Sequence, residues 1–206
     1  PNLKLKLIGE KIATELELAE AKLTYLDSQA GDGDLGLSMS RGAKAIRELP
    51  LCAWANPVTM LNSIGEALRR AIGGSSGPFY ATGLIRAARF LASQDQIDSR
   101  AIAGAFIAAA DAISEIGGAK LNDRTMLDAL YPAAISFNES IKNGMSLETS
   151  LDNAIKSAED GVKNTAQMLP KMGRASYLGE RAIGFEDAGA YAVLVWLKAI
   201  KFEENK

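Results

Sequence analysis

Apolar residues return every three or four positions along nearly the whole chain. Leu5, Ile8, Ile12, Leu16, Ala19, Leu23 and Leu26 form one such stripe, and this spacing predicts a long first helix over 3–26. In "NPVTMLNSIGEALRRAIGG", Asn56 stands as an N-cap and Pro57 as first helical residue, followed by Leu61, Ile64 and Leu68 and a stop at Gly73. "SRAIAGAFIAAADAISEIGG" repeats this grammar through Ile102, Phe106, Ala109 and Ile113, and Leu147, Leu151, Ala154, Ala158 and Val162 line another face. "DAGAYAVLVWLKAI" opens on Asp187 and is apolar nearly all round, as a buried helix would be. About eight helices follow, near 3–26, 38–48, 57–72, 78–93, 99–116, 124–142, 147–168 and 188–202. Strand alternation is absent and no Pro/Ser-rich linker divides the chain, so residues 1–206 read as one all-α domain. Four loops of unusual chemistry remain: 27–37, 73–78, 117–125 and 173–187. In an up-and-down bundle, loops after helices 1, 3, 5 and 7 fall at the same end.

Composition narrows the function classes. With 206 residues, 48% hydrophobic and 23% charged, the chain has room for a substantial core. A net charge of −2 gives no nucleic-acid surface. No apolar run approaches the roughly 18 residues of a membrane span, and the N-terminal segment lacks a signal-peptide core. Cys52 is the single cysteine, which fits a cytoplasmic setting. The sequence contains no histidine, which excludes a serine–histidine pair, a histidine-bound metal and a phosphohistidine on these residues.

"LDSQAGDGDLGLSMSRG" crowds Asp27, Asp32 and Asp34 among glycines. It matches G-x-G-x-x-G, but a helix precedes it where a dinucleotide fold needs a strand, and its acids would repel a pyrophosphate. Leu37 stands where a P-loop needs lysine, and an EF-hand counted from Asp32 ends on Ala43 rather than glutamate. A cluster of acids remains at the end of a helix, where the dipole is already negative. A solvated turn would satisfy the spacing. So would a Mg2+ site that recruits phosphates, since Mg2+ is commonly held by one or two carboxylates plus substrate oxygens. "GGSSGPF" leads into a helix whose exposed N–H groups suit an anion, although a plain helix–helix turn has the same composition. Asn122 or Asp123 is expected to cap the helix after it. Arg174 and Arg181 lie on a loop without helical periodicity, suited to phosphate recognition or to ion pairs with Glu180 and Glu186. Phe79, Met126, Trp54 and Trp196 read as packing residues.

In order, "LD…GDGD.G", "M.RG", "GG.SGP", "D.TM.D" and "GRASYLGER.IG..D.GA" resemble the L subunit of dihydroxyacetone kinase over essentially the whole chain. The resemblance implies an eight-helix antiparallel up-and-down barrel with ADP or ATP and two Mg2+ ions at one end. It implies Asp27, Asp32 and Asp34 as metal ligands. Nucleotide contacts are implied at Leu35, Gly36, Leu37, Ser38, Ser75, Ser76, Gly117, Met126, Arg174, Asp187, Ala188 and Gly189. It further implies a phosphotransferase subunit working beside a K subunit that holds dihydroxyacetone or a related short ketose; the alternatives are an ADP-binding regulatory module with little turnover of its own and an ATP-exchanging kinase subunit for another short sugar. The nucleotide would be recharged by a phosphohistidine protein of the phosphotransferase system. The family usually has histidine at the positions of Leu35 and Phe185 and proline at that of Ala188. These departures leave the acidic cluster intact and bear on the nucleotide's contacts and exchange.

Overall fold

Among residues 1–201, which the computed structural model describes, all regular structure is helical, with nine α-helices, three 3-10 turns and no strand. The helices are α1 (Leu3–Leu18), α2 (Glu20–Ser28), α3 (Leu35–Arg47), α4 (Pro57–Ala71), α5 (Ser76–Ala92), α6 (Ser99–Gly117), α7 (Leu127–Lys142), α8 (Leu147–Thr165) and α9 (Ala188–Ile200). Nine replace the expected eight because the first is interrupted at Ala19, where ψ relaxes to −5°. The ladder resumes at once, with the Leu23 N–H donating to the Ala19 carbonyl at 2.9 Å. α1 and α2 are therefore two successive pieces of the predicted first helix.

Two other boundaries moved for local reasons. α3 begins at Leu35 rather than 38 because Asp27 Oδ2 accepts the Leu35 N–H (3.1 Å), which satisfies a donor at the helix start from the preceding helix. α7 begins at Leu127 rather than 124, since Asn122 and Arg124 hold left-handed φ values of 69° and 60°. The expected cap at Asn122 or Asp123 is thereby overturned. Met126 occupies that position without a side-chain bond, while Asp128 accepts the N–H groups of Asn122 (2.5 Å) and Thr125 (2.8 Å).

Each helix packs on the next in chain order, and α9 returns to pack on α1, closing a ring. α9 can join both sides because it is apolar nearly all round, with Ala190, Ala192, Val193 and Leu197 buried. Leu16, Leu23, Leu26, Met39, Ile46, Ile64 and Leu68 fill one side of the interior; Leu130, Phe137, Val162, Val193 and Leu197 fill the other. Burying each such side chain contributes about 2 kcal/mol. An apolar cavity of about 1320 Å³ lies inside the ring, bordered among others by Met39, Leu68, Phe106, Phe137 and Trp196. Among the described residues, no helix is long and apolar enough to cross a membrane.

Candidate functional site

Alternation of direction sorts the helix starts onto two ends. α1, α4, α6 and α8 start at the end away from the glycine-rich loops, and Asn2, Asn56, Asp98 and Ser146 cap them with their own side chains. α3, α5, α7 and α9 start at the opposite end. There, Asp34, Ser75 and Met126 make no side-chain cap bond, and Asp187 alone does, accepting the Ala190 N–H at 2.8 Å. The α3 and α5 N-termini thus share one end of the ring without a cap from their own N-cap residues, a setting that favours anions, whereas at α7 the Leu127 N–H donates to Thr125 Oγ1 (3.2 Å) and the Asp128 N–H to Thr125 O (3.0 Å).

Contacts tie several of these segments together. The Tyr25 and Phe185 rings stand edge to face at 6.4 Å, joining α2 to the 173–187 loop. The Lys171 N–H donates to the Asp123 carbonyl (3.1 Å), and Lys171 Nζ donates to Asn122 O (2.8 Å) and pairs with Asp123 (3.3 Å). The Lys120 N–H donated to the Asp123 carboxylate, together with Lys171, holds that group below the usual carboxylate range. A Cβ on Gly117 would stand 3.2 Å from the Phe79 ring, so α5 and α6 also converge here.

At this end, Asp27, Asp32 and Asp34 each present a carboxylate oxygen, and the three lie within 4.8 Å of one another. Oxygens on opposite sides of a Mg2+ octahedron stand about 4.2 Å apart, so the three are close to the spacing one ion needs. The donor set is all carboxylate oxygen, which fits a hard divalent cation. Its shape comes from the chain: Asp27 sits in the last turn of α2, Gly33 turns at φ 74°, and Asp34 precedes α3. α3 can lie so close because residue 36 is glycine. A Cβ there would overlap the Thr24 hydroxyl and the Glu20 carbonyl of α2.

The remaining expected residues divide by exposure. Leu35 and Ala188 pack into the core, and Ser38 is buried, so these positions offer the site backbone more than side chain. Leu37 is exposed on the first turn of α3, as is Ser75 beside α5; Ser76 is half-buried. Met126 is buried beneath Gly189, whose missing Cβ would stand 3.4 Å from that of Met126. Arg174 opens the 3-10 turn Arg174–Tyr177, and its side chain lies outside the described structure. Asp187 is half-buried, and its N–H donates to Thr165 Oγ1 at 2.8 Å. Burial first, then the charges of Asp128 and Asp27, push its carboxyl up to about 6 against the opposing pull of the Ala190 N–H and Arg124.

The sequence reading passed over Arg124. This side chain is 1% exposed, and its partners are main-chain carbonyls: Nε donates to Thr165 O (3.1 Å), and Nη2 to Ala182 O (2.9 Å) and Phe185 O (2.8 Å). Burial lowers its pKa, opposed by the nearby Asp187 charge. Those partners lie 41 to 61 residues away, which local periodicity does not register.

Residues 29–202 match the DAK2 domain family. The ADP-binding subunit DhaL of the PEP-dependent dihydroxyacetone kinase of Escherichia coli is 35% identical over 93% of this chain and 90% of that protein. The L-erythrulose kinase of Pectobacterium atrosepticum is 34% identical over 91% of this chain, which spans 32% of that enzyme. Among solved structures, the dihydroxyacetone kinase of C. freundii superposes with a TM-score of 0.77 at 29% identity, covering 97% of this chain and 34% of that one. The same enzyme in complex with AMP-PNP and Mg2+ superposes at 0.76.

Proposed function

Since this chain belongs to the DAK2 domain family, we propose that it is the nucleotide-holding subunit of a phosphotransferase that delivers a phosphoryl group to a short ketose. The observation that supports this most is the meeting, at one end of the ring, of the α3 and α5 N-termini with three clustered carboxylates. One set suits phosphate oxygens, the other suits the cation that accompanies them. Asp27, Asp32 and Asp34 would hold Mg2+, which when bound neutralises phosphate charge. The N-terminal turn of α3 and the Gly73–Ser76 turn would take phosphate oxygens through backbone N–H groups, with Ser38, Ser75 and Ser76 beside them. Gly117, Met126 and Asp187–Gly189 would border the rest of an adenine nucleotide, and Arg174 would close over it. The protein's part is positioning and charge compensation, as is usual for phosphoryl transfer.

Acceptor and donor chemistry would lie on other chains. This sequence has no histidine to carry a phosphoryl group or to trap a ketose, so a K-type subunit would present dihydroxyacetone or a related ketose. A phosphohistidine protein would recharge the nucleotide. The kinship of the chain to both dihydroxyacetone and erythrulose kinases supports a three- or four-carbon ketose as acceptor.

Mass spectrometry of the nucleotide released on denaturing the purified protein tests the reading directly, with ADP or ATP expected. Asp32→Asn should abolish Mg2+-dependent ADP retention while circular dichroism keeps the wild-type helix content. Retention unchanged in that variant would remove the metal assignment.

A further inference from the structure

A buried guanidinium is an unfavourable way to fill space, because a charge loses its hydration before any partner is found. Arg124 meets that cost with three carbonyls drawn from two separate stretches of chain. One is Thr165 O at the C-terminus of α8, where the helix dipole favours a cation. The other two, Ala182 O and Phe185 O, are bridged by one nitrogen, Nη2, and bracket the bend at Gly184 (φ 98°). Among the described residues, buried Nη1 has no hydrogen-bond partner. The same short segment is tied to α8 twice more, by the Gly184 N–H to Ala166 O (2.8 Å) and the Asp187 N–H to Thr165 Oγ1 (2.8 Å). Beyond Arg124, the segment carries Phe185 to the Tyr25 ring on the helix that bears Asp27, and Asp187 to the start of α9.

We infer that Arg124 is a positioning residue: through the Ala182 and Phe185 carbonyls it fixes the 182–187 segment against the acidic end and thereby sets how fast a Mg2+-bound nucleotide leaves. This rests on the nucleotide reading above and adds a residue that touches neither the metal ligands nor the expected phosphate contacts. Lysine would preserve the charge yet present one nitrogen where the fork reaches both stretches.

The test compares the intact wild-type chain with Arg124→Lys. Hydrogen exchange of the amides of residues 182–187 is read without nucleotide, and dissociation of a fluorescent ADP is read with Mg2+. In the variant, both rates should rise at least tenfold, with helix content unchanged. Exchange that stays at the wild-type rate overturns the inference, as does faster exchange with an unchanged dissociation rate. Should the variant not fold, the wild-type protein supplies a second measurement: Mg2+-ADP should slow exchange at 182–187 at least tenfold, and unaltered protection overturns the inference. A wild-type chain that binds no Mg2+-ADP overturns the nucleotide reading and this inference together, whereas failure confined to the variant comparison overturns this inference alone.

Discussion

Gly36 shows how a single missing side chain shapes the acidic end. Because a Cβ would strike the Thr24 hydroxyl and the Glu20 main-chain carbonyl, Gly36→Ala must push α3 away from α2. The expected cost is about 1–3 kcal/mol, read as a lower midpoint in urea, with Mg2+-ADP affinity falling as Asp27 and Asp34 separate. Asp187 makes a different prediction. Its folded pKa, about 6, lies above the ordinary carboxylate value, so the folded state binds the proton more tightly and stability falls as pH rises from about 4 towards 7. Asp187→Asn keeps an oxygen for the Ala190 N–H and removes the charge. Its stability relative to wild type should therefore improve across that pH range; a pH-independent difference would contradict the raised pKa. The Asp27, Asp32 and Asp34 group was legible in the sequence because its chemistry sits within eight residues. Arg124, Asp128 and Thr165 were not, since Arg124 acts across 41 to 61 residues and Asp128 acts on a loop whose left-handed turns use non-glycine residues.

Helices were the most readable level, because a 3.6-residue apolar repeat declares them wherever packing agrees. Asn56, Pro57 and Asp187 marked their starts correctly. Boundaries slipped where a tertiary partner replaced the local signal, as Asp27 does for α3, and where carboxylate turns delay α7. The division of caps between the two ends has a measurable side. Asp98→Ala removes the oxygen that accepts the Ala101 N–H at the end remote from the carboxylates. It should lower unfolding free energy by about 1 kcal/mol and leave Mg2+-ADP affinity unchanged in calorimetric titration. An affinity loss there would mean that the two ends are mechanically coupled.

On the scale of the whole molecule, the chain spans nine-tenths of the E. coli subunit but about a third of the erythrulose kinase, and the function proposed above places the rest of the reaction on other polypeptide. Supplied with Mg2+ and ATP alone, it should phosphorylate dihydroxyacetone negligibly. Turnover should appear in a coupled assay when a K-type subunit is added; robust activity without one would refute the division of labour. The ring also has a seam. Its other joints link neighbours in sequence, whereas α9 meets α1 across most of the chain, with Lys11 Nζ donating to Lys201 O at 2.7 Å over 190 residues. Bringing such distant segments together costs about 2.6 kcal/mol more in loop entropy than closing a ten-residue loop. The hairpins should therefore assemble early and the seam late, so that contacts across it are absent from the folding transition state. Ala192→Gly, at a fully buried α9 position, should cost about 1–2 kcal/mol. In stopped-flow kinetics that loss should appear as faster unfolding, roughly tenfold, with the folding rate nearly unchanged. The last joint to close governs the lifetime of the folded ring rather than the speed of its formation.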